Sequence, residues 1–132
     1  MIFVDTSFWV ALRNRRDSSH GLARTLLAKH AAEPLLTSNH VRGETGTFLR
    51  RRAGHRSAVD FLDSIDRSPR LRLLVVSPDL ETAALRWLRR QDEREYSFVD
   101  ATSFALMRSL RIRDTLAFER DFTAAGFREV RN

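Results

Sequence analysis

Short β-branched, apolar runs alternate with helix-length segments along this chain, and two of those runs stop on an acid. Ile2-Phe3-Val4 runs into Asp5; Thr115 to Phe118 runs into Glu119, with Asp121 two positions on. A continuous apolar run of a few residues marks a strand buried on both faces. Such strands alternating with helices call for a parallel sheet covered by helices, whose ligands bind beyond the carboxyl ends of the strands. The expected fold is therefore α/β, a three-layer α/β/α sandwich with a mainly parallel central sheet.

In detail, strands are expected at Ile2 to Asp5, Leu35 to Thr37, Leu71 to Val76, Thr115 to Phe118 and Phe127 to Val130. Helices are expected over Ser7 to Leu12, Ser19 to Ala32, Ser38 to about Arg52, and Arg56 to Asp66. Two more start at Ser77-Pro78 and Ser97, the first fading by Glu93 and the second running through Leu110. A helical turn follows at Asp121 to Ala125. Ser38, Ser77 and Ser97 are capping hydroxyls, Pro78 fits a first helical position, and Gly54 ends a helix. Apolar spacing turns Leu22, Leu26 and Leu27 inward, then Val59, Leu62 and Ile65, then Leu80, Ala84, Leu85 and Leu88. With 132 residues and 42% hydrophobic content, one domain spanning 1–132 with a sizeable core is expected.

The net charge is +6, carried almost entirely by arginine, since Lys29 is the only lysine. Arginine's planar fork suits phosphate, so the bias fits a polyanionic partner; GC-rich codon usage gives the same bias with no function attached. The clusters Arg13-Arg15-Arg16, Arg50-Arg51-Arg52 and Arg86-Arg89-Arg90 are candidate phosphate contacts, against the plain alternative of a solvated charged face. With no cysteine, disulfides, thiolate zinc sites and Cys nucleophiles are excluded. The N-terminus does not read as a signal peptide, and no apolar run nears the ~20 residues of a membrane span, so a cytoplasmic protein is expected.

The acids carry the chemistry. Asp5 either caps the following helix or holds a metal, with Thr6 and Ser7 as supporting hydroxyls. Glu44 shares a helix face with Val41, Thr45 and Phe48, so it points at least partly inward. The flanking Gly43 and Gly46 each cost about 1 kcal/mol of helix propensity relative to Ala. That cost suggests the close approach of another element or of a substrate backbone. Asp100 sits at the fourth position of Ser97-Phe98-Val99-Asp100, a capping-box pattern that leaves one carboxylate oxygen over. Glu119 and Asp121 stand at a strand-to-helix turn, and Asp114 reads as a solvated turn residue. Carboxylates drawn from separate segments suit a hard divalent cation such as Mg²⁺ or Mn²⁺. His20, His30, His40 and His55 lack zinc-ligand spacing and read as surface or loop positions; His40 is within reach of Glu44. Phosphate-cradling glycine loops, a GxSxG elbow and the second Asp of a DxD-type phosphatase are absent.

The stretches IFVDTSFWVAL, the Glu44-Thr45 pair in VRGETGTFL, SFVDATSFALM and LAFERDFTAAGF together resemble PIN-domain ribonucleases, most closely VapC-type toxins of bacterial toxin–antitoxin pairs. The resemblance covers essentially the whole chain. It implies a PIN-like nuclease fold and a Mg²⁺- or Mn²⁺-dependent endoribonuclease acting on a structured RNA of the tRNA or rRNA class. It implies Asp5, Glu44 and Asp100 as the three principal acids. The family's fourth acid is usually Asp; Glu119 stands there, with Asp121 as the alternative. It also implies a homodimer and a VapB-type antitoxin occupying the acidic groove. A non-catalytic RNA- or partner-binding domain that keeps the fold is the competing expectation, and a small metal-dependent phosphatase is a third.

Overall fold

The computed structural model describes residues 1–131. In chain order the elements are β1 (Ile2–Val4), α1 (Thr6–Arg13), α2 (His20–Lys29), β2 (Leu35–Ser38), α3 (Asn39–Ala53) and α4 (His55–Arg67). There follow β3 (Leu71–Leu74), α5 (Pro78–Arg90), α6 (Phe98–Ser109), β4 (Asp114–Leu116), α7 (Asp121–Ala124) and β5 (Arg128–Glu129). All strand pairs are parallel, in the order β3-β2-β1-β4-β5. The sheet is flanked by helices in the expected α/β/α arrangement. β1 lies at its centre, and the chain's progression across the sheet reverses between β1 and β4. In such a sheet that reversal opens a crevice at the carboxyl ends of the two strands.

The strands form because their residues can be buried on both faces. Ile2, Phe3, Val4, Leu35, Leu36 and Leu116 are all in the core. Where a strand carries a hydroxyl, a neighbour's backbone takes it: Thr37 Oγ1 donates to the Val4 carbonyl and Thr115 Oγ1 to the Phe3 carbonyl, both at 2.9 Å. These bonds cross the β1–β2 and β1–β4 seams and satisfy groups that would be costly to leave unpaired. Ser38, Ser77 and Ser97 each cap the helix they precede by accepting from a backbone N–H. Gly54, at φ 95°, makes the turn between α3 and α4, a backbone region in which side-chain-bearing residues are strained.

Several expectations shift. The second helix ends at Lys29 rather than Ala32, because His30 and the following turn take over its last carbonyls. β3 stops at Leu74, two residues short of Val76. The Val76 N–H turns to Asn39 Oδ1 at 2.9 Å, and Val75 is 71% exposed. β4 closes at Leu116, and Asp114 is its first residue, ion-paired to Arg128 rather than free in a turn. Leu22, Leu62 and Leu85 lie outside the core. The buried faces are Ala23 and Leu26 on α2, Ala58, Phe61 and Ile65 on α4, and Ala84 on α5. Threefold spacing selects a helix side but leaves its angular centre open by one residue.

Candidate active site

Each candidate acid is delivered by a different local device. Asp5 follows β1 and caps α1: its Oδ2 accepts from the Ser7 N–H at 3.1 Å and the Ser7 hydroxyl at 2.7 Å. The same Ser7 hydroxyl accepts from the Phe118 N–H at 3.0 Å, tying the ends of β1 and β4 together. Asp100 closes the capping box of α6. Ser97 Oγ accepts from the Asp100 N–H at 2.9 Å, and Asp100 Oδ2 accepts from the Ser97 N–H at 3.1 Å. Glu119 follows β4, Asp121 opens α7, and Glu44 projects from α3. The capping and metal-binding readings of Asp5 and Asp100 are thus compatible, since each cap engages only one carboxylate oxygen.

All five acids line one cleft of about 470 Å³, together with Thr6 and Ser7. Carboxylate oxygens of Asp100, Glu119 and Asp121 lie within 4.8 Å of one another, and that tighter group does not include Asp5 or Glu44. Asp5 is 2% exposed. Burial pushes its carboxyl up to about 7; the two hydrogen bonds from Ser7 oppose the shift, and the charges of Asp100 and Glu119 add to it. Asp100 is raised by burial, against the pull of the Ser97 backbone bond and with further push from Asp121 and Glu44. Glu119 is raised by burial, then by Asp100, Asp121 and Glu44. Three carboxyls that burial and mutual repulsion bias toward protonation form a cluster short of positive charge. The donor set is all carboxylate oxygen, a hard set that fits Mg²⁺ or Mn²⁺.

No histidine competes for that role. His20 Nδ1 lies 2.8 Å from the Ala11 carbonyl oxygen, and His30 and His55 engage Glu33 and Arg50. His40 pairs with Glu81 of α5 at 3.1 Å rather than with Glu44. Gly46 packs against Leu62 of α4, at a distance where an added Cβ would make ordinary contact, whereas Gly43 faces open space. The expected close approach is thus found at neither glycine, since a side chain would fit at both. Phe48, expected inside, is 37% exposed and lines the cleft with Arg52, whose guanidinium sits 4.7 Å from its ring centre.

Of the arginines singled out in the sequence, only Arg52 lines the cleft. Arg13, Arg15, Arg16, Arg50 and Arg51 are exposed outside it, as are Arg86, Arg89 and Arg90 on α5. Sequence reasoning missed Asn14, Asp17 and Glu95, which also border the cleft, and it missed Arg94. Arg94 donates from Nε at 3.1 Å and from Nη2 at 2.8 Å to the same oxygen, Asp121 Oδ1. These residues lie in polar connections with no periodicity, so only a three-dimensional neighbour could reveal them. Thr6 and Thr45 carry buried hydroxyls with no hydrogen-bond partner among the described residues.

The PIN domain family profile matches residues 2–128. The 23S rRNA-specific endonuclease VapC20 of Mycobacterium tuberculosis, in strains CDC 1551 / Oshkosh and ATCC 25618 / H37Rv, is 56% identical over 131 residues. The match spans 99% of this chain and 98% of the relative. The crystal structure of M. tuberculosis VapC20, described as a sarcin-ricin loop cleaving toxin, matches with a TM-score of 0.95 at 55% identity over 100% of both chains.

Proposed function

The chain belongs to the PIN-domain family, and from that premise we propose that it is a VapC-type endoribonuclease toxin, one domain over residues 1–132, that cuts the sarcin-ricin loop of 23S rRNA. The observation that carries this reading is the convergence of five acids in one cleft at the carboxyl ends of β1 and β4, in a chain alike throughout its length to an RNA endonuclease. In the proposal Asp5, Glu44, Asp100 and Glu119 are the catalytic acids and Asp121 a further metal ligand, with Thr6 and Ser7 in support. Asp100, Glu119 and Asp121 would hold Mg²⁺, or Mn²⁺ in its place, with the buried Asp5 and with Glu44 lining the same cleft. When bound, the ion supplies Lewis-acid polarisation of the scissile phosphodiester and lowers the pKa of an attacking water.

The rest of the work falls to the chain. Ser7 fixes the Asp5 carboxylate through two hydrogen bonds, and the Ser97 cap fixes Asp100, so the acids stand ready before RNA arrives. Arg52, held over the Phe48 ring, offers a phosphate contact and a stacking surface for an unpaired base, the usual handle on RNA loops. Partners in the proposal are rRNA, a VapB-type antitoxin whose cation would meet the acids, and a second copy of the chain. A cytoplasmic location follows from that substrate; for its part, no helix among the described residues is long and apolar enough to cross a membrane.

The test uses purified protein and an RNA hairpin carrying the sarcin-ricin sequence, with Mg²⁺ or with EDTA, beside Asp5→Asn and Asp100→Asn. One cut in the loop with Mg²⁺, lost with EDTA and in both variants, is the expected result. Cleavage indifferent to EDTA and to both substitutions would overturn the proposal. Salt-sensitive binding without any cut would favour the non-catalytic reading instead.

A further inference from the structure

We infer that Arg94, Arg120 and Arg131 form a phosphate-binding bank beside the acid cluster, which holds the RNA backbone next to the scissile bond on the β4 side of the cleft. The inference deepens the endoribonuclease reading and rests on it for the identity of the RNA, while its test reads binding and does not depend on cleavage.

The acid cleft faces an electrostatic difficulty. Seven carboxylates line it against one arginine, Arg52, and its ligand in the proposal is a polyanion. A divalent ion would screen the scissile phosphate, but the phosphates on either side need cations of their own. The chain supplies them on two banks. α3 follows β2 and α7 follows β4. With β1 between β2 and β4, the two helices start on opposite sides of the central strand. On the α3 bank, Arg51 borders a cavity that shares Glu44 and Phe48 with the cleft. On the other, Arg94, Arg120 and Arg131 line a cavity of about 600 Å³ with a single acid, Glu129.

This second bank is tied to the cleft by its own contacts. Arg94 pairs with Asp121. The Arg131 guanidinium lies 5.1 Å from the ring centre of Phe118, a cleft residue, and its Nη1 donates to the Ala117 carbonyl at 2.9 Å. Glu129 is already engaged: Oε2 accepts from the Thr123 N–H and hydroxyl, and Oε1 from Arg131. A guanidinium has five N–H donors. Arg94 and Arg131 are therefore each fixed by part of the fork and keep the rest for a ligand. Arg120 stands between Glu119 and Asp121 in the chain, exposed, and its guanidinium has no partner among the described residues. Even with Asp121 counted beside Glu129, three guanidiniums face two carboxylates and the bank stays positive. Planar forks that are always charged suit a phosphodiester.

The experiment measures binding of the sarcin-ricin hairpin in EDTA at low salt, with Arg120→Ala beside wild type. The Arg120 side chain holds nothing else in the fold, so the variant is expected to keep the wild-type melting temperature. Hairpins carrying one uncharged methylphosphonate each, at successive loop phosphates, locate the contact. Arg120→Ala is expected to bind several-fold more weakly and to lose about 1 from the slope of log affinity against log salt. A single loop methylphosphonate is expected to weaken wild type and leave Arg120→Ala unchanged, and with Mg²⁺ the cut should fall next to that phosphate. Equal affinity of the two proteins would overturn the inference. So would a loss that is the same at every loop phosphate, or a coupled phosphate remote from the cut. A hairpin cut in its loop without any such coupling would refute this inference alone. One bound with the coupling yet never cut would refute the proposed catalysis and sustain the bank.

Discussion

One turn of α6 separates the best-satisfied region of the molecule from the least satisfied. Phe104 and Asp100 stand four residues apart on the same side of that helix. Phe104 is fully buried and meets Phe122, Trp87 and Tyr96 edge-on, and Phe127 in a stack, at 4.9 to 5.7 Å between ring centres. Asp100, almost as deeply buried, meets other acids, and its carboxyl is raised accordingly. Aromatic edges and faces attract whatever the solution conditions. Clustered carboxylates repel until a cation or a proton arrives. The contrast teaches that the rigid aromatic end holds the acids together against their own repulsion, which a cation or a proton relieves.

The most forceful way to break the comparison is at its rigid end. Phe104→Ala should lower the unfolding free energy by about 3–5 kcal/mol, read by urea denaturation, and scatter the acids with the core. A small loss would mean that the aromatic cluster does not brace the site. At the charged end the signs should oppose one another. Asp100→Asn should cut the cleavage rate at least ~100-fold, beyond the effect of losing an outer partner of a metal ligand. In metal-free protein above pH 7 the same change should raise the melting temperature by removing a buried, repelled charge. A variant both inactive and destabilised would show that Asp100 matters mainly as a cap.

The pH dependence sharpens the comparison further. The Asp5 carboxyl lies near its ordinary 3.8 in the unfolded chain and about 7 in the folded one. Across that window the folded protein binds the additional proton, so this contribution to stability is present at low pH and lost as pH rises toward 7. In metal-free protein, the melting temperature of wild type should therefore drop relative to Asp5→Asn by about 10 °C between pH 4 and pH 7. Saturating Mg²⁺ should remove most of the drop, and calorimetric scans at several pH values would check it. The smallest expected effect is at the rim. Arg52→Ala should weaken binding of the RNA hairpin a few-fold and reduce the slope of log affinity against log salt by about 1. An unchanged slope would place the RNA backbone elsewhere.

How much of this was legible beforehand follows from range. The sheet, the helix order and the caps at Ser38, Ser77 and Ser97 were readable because each depends on neighbours within a few residues. So was the candidacy of Asp5 and Glu119, which end apolar runs, of Asp121 just behind, of Glu44 on an inward helix face and of Asp100 in a capping-box pattern. Leu62, Leu85 and Phe48 were misplaced, because periodicity gives a helix face without saying what will cover it. Asp114 was taken for a free turn residue because its partner, Arg128, sits on another strand. Arg94 could not be found at all: it lies in a polar connection, and its meaning comes from Asp121, 27 positions away.

By itself, then, the sequence determined an α/β protein with carboxylates at strand and helix ends, because patterning and capping act locally. Only the tertiary structure decided that Asp100, Glu119 and Asp121 draw within 4.8 Å of one another, which oxygens the protein keeps for itself, and that Arg94 pairs with Asp121. Those outcomes depend on the parallel pairing of β1 with β4 and on the packing of α6, and long-range packing has no signature in the spacing of residues along a chain.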